Sequence, residues 1–414
     1  MVIFQLNVRL AEGGAAGVAL DLHRRAIAQN IFSTFIYGYG KKGLKSKSHN
    51  IFDNVIKNTN IITSYLNLLT HPFLNYDPFG SINHLEKELN KINGDEKIII
   101  HLHVIHSYWL NYHHLVKVFT KLKSLKNISL VWTLHDHWAI TGRCAFLENC
   151  ENWRNKCYKC PSLTNYPPVK IDKAVNEFHN KIAFVKQMSE LGCKFISPSV
   201  HVAEAFNSQY SNMGVSQCIV VNNGIDIDSE NYITNLLSLK SNVQNKDQIE
   251  SRPRFAVVAH DLSYDGKTNI ELIKTLLNAD LEIHTFGKNS LFSDVKVHNH
   301  GYISSKTILL EAISKLDGLI FTSKVDNYPL ILCECLSLGV PVLATASDAS
   351  IEVLKKVGGK TIQENEFTYY TGLTKDKICQ LLYNKSTKQL QKDALNAFSG
   401  NKMLAEYSGV YENI

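Results

Sequence analysis

The feature that most constrains this chain is a repeated alternation of short apolar runs with amphipathic segments, interrupted once and then resumed. Strand-like runs are read at Val2–Val8, Phe32–Tyr37, Lys97–Ile105, Ile128–His135, Lys194–Ser197 and Cys218–Val221. Helical patterns separate them at Val18–Gln29, Ile82–Ile92, His113–Leu125, Ile171–Leu191 and Val200–Ser208. The stretch Ser229–Arg254 is polar and irregular. Beyond it strands are expected at Phe255–His260, Glu282–Phe286, Val295–His298, Gly318–Thr322 and Val340–Ala344, with helices at Thr268–Asn278, Ser305–Leu316, Leu330–Leu338 and Ser350–Val357. Such alternation calls for parallel strands joined by crossover helices that cover both faces of a sheet. The expected class is α/β, two doubly wound Rossmann-like domains facing across a cleft. Residues 1–225 form the first, 226–253 a linker, 254–395 the second, and 396–414 a tail returning to the first.

Composition removes several alternatives. With 414 residues, 44% hydrophobic and 20% charged, the chain can bury large cores and is neither disordered nor collagen-like. The balance of 44 basic and 38 acidic residues, a net charge of +6, gives no footing for nucleic acid as a partner. The longest apolar stretch, Tyr328–Ala346, is broken by Glu334 and Pro341, so no membrane-spanning helix is expected. The apolar start lacks a basic flank and reads as no export signal, which makes the cytoplasm the expected compartment.

Ligands of open parallel sheets bind beyond the carboxyl ends of the strands. Inspection therefore falls on the residues just past each run. In the first half these are the turn containing Gly13 and Gly14, His106 in His101-x-His103-x-x-His106, and the pair His135–Asp136. A glycine turn opening a helix can meet a phosphate or a sugar with backbone N–H groups, or can simply allow close helix–strand packing. A His beside an Asp can serve as acid, base or hydroxyl ligand.

Four cysteines, Cys144, Cys150, Cys157 and Cys160, crowd into one loop. Their density suits a structural zinc site, with reduced or disulfide-paired thiols as the other reading. The remaining cysteines lie in apolar runs and read as core.

In the second half, Lys267 follows Gly266 at a helix start, where the helix dipole already carries positive charge and an added lysine has no structural motive. A diphosphate ligand supplies one. His260 opens the same segment. Asp326 ends a loop after a strand, and Glu334 falls among Leu332, Cys333 and Cys335, where a carboxylate costs folding energy unless paired or ligand-bound. This Asp-x7-Glu is the most specific signal in the chain.

These residues, with Asn222-Asn223-Gly224-Ile225-Asp226, resemble the retaining glycosyltransferases of the GT-B fold, family four, and within them the colanic-acid type. The resemblance spans nearly the whole chain. It implies that Glu334 binds the ribose of a nucleotide-sugar donor, UDP- or GDP-linked, and that Asp326 holds donor sugar hydroxyls. Asn327, Tyr328, Pro329 and Leu330 would receive the diphosphate together with Lys267. It further implies His106 near the anomeric carbon, Gly13 and Gly14 close to phosphate or acceptor, and His135 and Asp136 on the acceptor side. The reaction implied is a metal-independent hexosyl or deoxyhexosyl transfer, with no catalytic cofactor, in bacterial exopolysaccharide, capsule or O-antigen synthesis. The acceptor would be a saccharide, possibly on a polyprenyl diphosphate. Two positions depart from the pattern. Asp326 stands where the family has Glu, and Leu262 stands where an Arg is common, leaving Lys267, the helix start and His260, or else Arg9 or Arg143, to meet the leaving group.

The segment His113–Lys126, with four lysines among apolar residues, reads either as a helix packed on the sheet or as one lying on the inner face of the cytoplasmic membrane. Rival functions are a sugar-nucleotide epimerase of the same fold, a catalytically weakened relative, and a zinc-stabilised binding protein.

Overall fold

The computed structural model describes residues 1–39, 54–58, 61–92, 96–147, 150–240 and 252–414. Two compact units emerge: Met1–Asn222 with Met403–Ile414, and Asn223–Lys402.

The first unit is built on a seven-stranded sheet in the order β3-β2-β1-β4-β5-β6-β7. Its strands are β1 (Val2–Arg9), β2 (Phe32–Tyr39), β3 (Val55–Lys57), β4 (Ile98–Leu102), β5 (Ile128–Thr133), β6 (Lys194–Ser197) and β7 (Ile219–Val220), and every pairing is parallel. Residues Val2–Val8 of the central β1 are all buried, as a strand covered by helices on both faces requires. Two of them, Gln5 and Asn7, are polar and sit towards the carboxyl end, where each finds a partner near the candidate site. The helix Gly400–Glu412 brings Tyr407 and Tyr411 into this unit, where both are fully buried.

The second unit holds five parallel strands in the order β10-β9-β8-β11-β12. They are β8 (Arg254–Asp261), β9 (Glu282–Lys288), β10 (Val297–Asn299), β11 (Gly318–Phe321) and β12 (Val342–Ala344). Both sheets reverse direction of growth once, between β1 and β4 and between β8 and β11. A doubly wound sheet opens its crevice at such a point.

One expectation is corrected here, and of two readings of another segment the packed helix stands. Residues Ile227–Lys240, read as linker, form a helix whose start is capped by Asp226, which accepts from the N–H groups of Asp228 and Ser229. The rest of that stretch, 241–251, lies outside the described residues. The helix Tyr112–Leu125 buries Leu115, Phe119 and Leu122, so the apolar face that a membrane would take is already in the core. Among the described residues no helix is long and apolar enough to cross a membrane.

The helix Ile61–Leu74 has no counterpart in the sequence reading, and its polarity is inverted. Asn67 and His71 point inward and are buried, Asn67 bonding the Phe79 and Trp109 carbonyls and His71 the Asp77 carboxylate. Ile62, Tyr65, Leu66, Leu69 and Phe73 are exposed instead.

Candidate active site

In the first unit, the carboxyl ends of β1, β4 and β5 bring together most of the residues marked there. Register sets His101 of β4 beside Val131 of β5, so that the residues past each strand meet. His106 Nε2 lies 3.0 Å from Asp136 Oδ2, and Ser107 Oγ lies 2.7 Å from His106 Nδ1. Both ring nitrogens of His106 are thus engaged, and its face stacks on Trp138 at 4.9 Å. Burial works to raise the Asp136 carboxyl, but His106 and the Trp138 N–H outweigh it and hold the group below its usual range.

The turn that presents His106 is strained. Ser107 and Tyr108 adopt φ of 70° and 69°, a region that non-glycine residues avoid. Asp77 holds the conformation by accepting from the N–H groups of Tyr108 and Trp109, and Tyr39 donates to the Ser107 carbonyl. Sequence inspection marked neither Asp77 nor Tyr39, because no local pattern ties them to a turn at 107.

The other histidines are locked behind this pair. His101 bonds the Tyr411 hydroxyl at 2.7 Å and Thr133 at 2.8 Å. His103 bonds Gln5 at 2.7 Å and His135 Nε2 at 2.9 Å. Burial pushes His101 and His103 well down and His135 down to about 4, so all three are neutral at pH 7. His103, His106, His135, Asp136 and Trp138 line one small cavity.

Gly13 caps the helix Gly14–Ala28 with φ 96°, a backbone only glycine adopts freely. A Cβ added at Gly14 or Gly17 meets nothing within 4 Å, so close helix–strand packing is not the reason for those glycines. The space above this helix start is open. Arg9 pairs with Glu12 and lies over the Tyr39 ring at 5.0 Å.

Arg143 is buried and spends its guanidinium on the carbonyls of Asn165, Pro167 and Ser162, which commits it to its own loop. That loop carries the four cysteines. None of the four is disulfide-bonded, and they line one cavity together with Phe146 and Trp153. Gly142 N–H lies 3.1 Å from Cys157 Sγ, and Arg143 Nη2 lies 3.6 Å from Cys160 Sγ. Among the described residues, one group of three metal-capable side chains has its ligand atoms all within 4.8 Å of one another, Glu282, His284 and His298; the cysteines are not drawn that close.

In the second unit the marked residues gather past β8 and β11. Lys267 Nζ lies 2.5 Å from Asp326 Oδ1, with both side chains reachable from solvent. The two loops are sewn together by Lys324 N–H to the Gly266 carbonyl and Asn269 N–H to Thr322 Oγ1. Asn327 and Tyr328 are buried, Pro329 caps the helix Leu330–Ser337, and Leu330 opens it. Glu334 is fully buried inside that helix.

Its partner is Lys306, whose Nζ lies 2.7 Å from Oε1 and 2.8 Å from Oε2. Burial raises the Glu334 carboxyl above its ordinary range, opposed by Lys306 and reinforced by Asp226. Burial would lower Lys306, but the charge of Glu334 outweighs it and holds the ammonium above its usual value. Lys306 was missed from sequence, being one lysine at a helix start with its partner 28 residues away.

Leu262 is buried in the core. Cationic groups stand elsewhere at this end of the sheet: Lys288, at the end of β9, lies 3.3 Å from His260 Nε2 and over the Tyr302 ring at 5.2 Å.

No protein-family profile matches the chain. It is 48% identical over 417 residues to WcaC of Escherichia coli (strain K12), named as a colanic acid biosynthesis glycosyl transferase, with all of both chains covered. Solved structures of the same fold include a glycosyltransferase from Rickettsia africae, 14% identical with a TM-score of 0.59 over 100% of this chain and 98% of that one. The sucrose-phosphate synthase of Thermosynechococcus elongatus gives 11% and 0.62 over 100% and 98%. The pneumococcal O-GlcNAc transferase GtfA, solved with UDP and GlcNAc, gives 12% and 0.57 over 100% and 99%. With two doubly wound units and a full-length relative at this identity, the chain belongs to the WcaC-type glycosyltransferases of the GT-B fold.

Proposed function

We propose that this glycosyltransferase moves a hexosyl or deoxyhexosyl group, with retention and without a catalytic metal, from a nucleotide-diphosphate sugar to a lipid-linked saccharide in bacterial exopolysaccharide synthesis. The observation that carries the donor assignment is the pairing of each marked acid in the second unit with a lysine, Asp326 with Lys267 and Glu334 with Lys306. Lys267, freed from Asp326 by an incoming diphosphate, meets the leaving group, while Asp326 turns to the sugar hydroxyls. Glu334 takes the ribose diol, with Lys306 holding its charge. Lys288 and His260 supply positive charge where Leu262 supplies none.

Departure of the diphosphate leaves positive charge on the anomeric carbon and negative charge on the leaving oxygen, so fixed donors at that oxygen lower the barrier. The helix start at Leu330 and Lys267 are such donors. His106, held by Asp136 and Ser107, stands near the anomeric carbon, His135 and Asp136 serve the acceptor, and the open helix start at Gly13 and Gly14 meets phosphate or acceptor. The leaving phosphate takes the acceptor's proton on the same face. Incubation with UDP- and GDP-sugars and a lipid-linked acceptor tests this: proton NMR of the product must show the anomeric configuration of the donor. An inverted product overturns retention, and turnover that needs no added divalent cation is required of metal independence.

The exposed apolar face of Ile61–Leu74 supports a membrane-surface acceptor, since the inward turn of Asn67 and His71 is explained by their hydrogen bonds whereas Leu66, Leu69 and Phe73 are left facing outward. For the cysteine loop we propose a structural zinc ion. Four thiols around one cavity are the right donor set, and N–H groups directed at Cys157 and Cys160 suit thiolates. Zinc content that falls by one equivalent in Cys157→Ser supports this; metal-free wild type of full stability contradicts it.

A further inference from the structure

The second unit carries a cluster of ionisable side chains that donor binding does not use. His298 of β10 stands opposite His284 of β9, and the two-residue period of a strand puts Glu282 on the same face as His284. On the other flank the residue opposite His284 is Ala256, small enough to leave the imidazole room. Glu282, His284 and His298 each direct one ligand-capable atom to a common point, all within 4.8 Å of one another.

These three are near without being bonded. Glu282 Oε2 lies 3.9 Å from His284 Nε2 and 3.5 Å from His298 Nε2, distances beyond a good hydrogen bond but short enough to surround an ion. His284 Nε2 is buried and has no hydrogen-bond partner. Its other nitrogen, Nδ1, lies 2.9 Å from His300 Nε2, and His300 is itself stacked on Phe286 at 4.6 Å. An imidazole anchored through one nitrogen, with the bare one aimed at a carboxylate and a second imidazole, is how histidine ligands are oriented around metals. Arg254, opposite Glu282 on β8, does not occupy the carboxylate: its Nη2 donates to the Lys315 carbonyl at 2.8 Å and its Nε faces Asp317.

We propose that Glu282, His284 and His298 bind a divalent transition-metal ion of the zinc class, with His300 orienting His284. Two imidazoles and one carboxylate suit zinc, whereas calcium and magnesium take oxygen ligands. Glu282 and His298 are 31% and 46% exposed, so the ion enters from solvent and a water completes the coordination. The site lies at the amino end of β9, away from the strand ends that carry Lys267 and Asp326. An ion held there ties the three-residue edge strand β10 to β9.

The test uses the full chain in a Cys150→Ser, Cys157→Ser background, so that metal held by the cysteine loop does not contribute. After chelation and dialysis, zinc is titrated alone and the melting midpoint is followed. A rise of a few degrees is expected, absent in His284→Ala and in the more exposed His298→Gln. Cobalt(II) as a second probe should bind without the intense near-ultraviolet absorption of thiolate ligands. No rise in the background protein, or an equal rise in both histidine variants, overturns the site. Neither readout depends on donor turnover.

Discussion

Lys306 Nζ stands within 2.8 Å of both oxygens of Glu334, the one carboxylate in the helix Leu330–Ser337 and a fully buried one. Removing the lysine leaves that carboxylate without its cation. Lys306→Met is expected to cost about 2 kcal/mol of stability, and Glu334→Gln in the same background to restore at least half of it. Because burial raises the folded-state pKa of Glu334, the folded chain holds that proton more tightly than the unfolded one. Stability from this group therefore falls as pH rises, and the gap between wild type and Lys306→Met should narrow in acid. Denaturant melts at two pH values check both; an unchanged midpoint in Lys306→Met would sink the pairing.

Gly14 has no steric need to be glycine. Gly14→Ala should leave stability unchanged or raise it by up to about 1 kcal/mol, through helix propensity. Transfer should nonetheless fall tenfold or more, if donor or acceptor approaches that backbone. Equal activity with equal stability would remove the turn from the site.

The buried histidines make the first unit acid-sensitive. His135 and His137 are pushed down to about 4 by burial, so between their unfolded value near 6.5 and about 4 only the unfolded chain takes up the proton. Stability is fully present above that window and is lost as pH falls through it, by on the order of 2 kcal/mol per histidine at about pH 5. Melting midpoints at pH 7.5 and 5 should differ by several degrees, and replacing His137 with Gln should shrink the difference.

The inverted helix Ile61–Leu74 gives a membrane prediction. Leu69→Ser with Phe73→Ser should abolish sedimentation with anionic vesicles while leaving stability and transfer to a water-soluble acceptor intact, since both residues are exposed. Undiminished vesicle binding would assign the membrane contact to another surface.

The strands were legible because burial on both faces leaves nearly continuous apolar runs, as in Val2–Val8, broken only by Gln5 and Asn7, and Ile98–Leu102, broken only by His101. The strand-end rule then pointed to His106, Lys267 and Asp326, each of which the structure places past the carboxyl end of a strand. It did not reveal that His106 pairs with Asp136, since that depends on the register of β4 against β5. Ile61–Leu74 escaped because its apolar residues face outward, the reverse of the pattern by which helices are read. The lysines of and just past Tyr112–Leu125 left two readings open, and packing decides between them: Lys123 and Lys126 reach back to the carbonyls of Ile128 and Ile92 around a buried apolar face. Lys306 and Lys288 carry no local signal, because each gains meaning only from a residue folded against it.

The most direct test of the donor site is a melting-midpoint titration of wild type and Lys267→Ala with UDP, GDP and their common sugars. At about 100 times Kd a ligand adds roughly 2.7 kcal/mol, enough to move the midpoint by a few degrees. One nucleotide series should shift wild type and leave Lys267→Ala nearly unmoved. If no nucleotide shifts wild type, or the variant shifts equally, Lys267 and Asp326 do not form the diphosphate site.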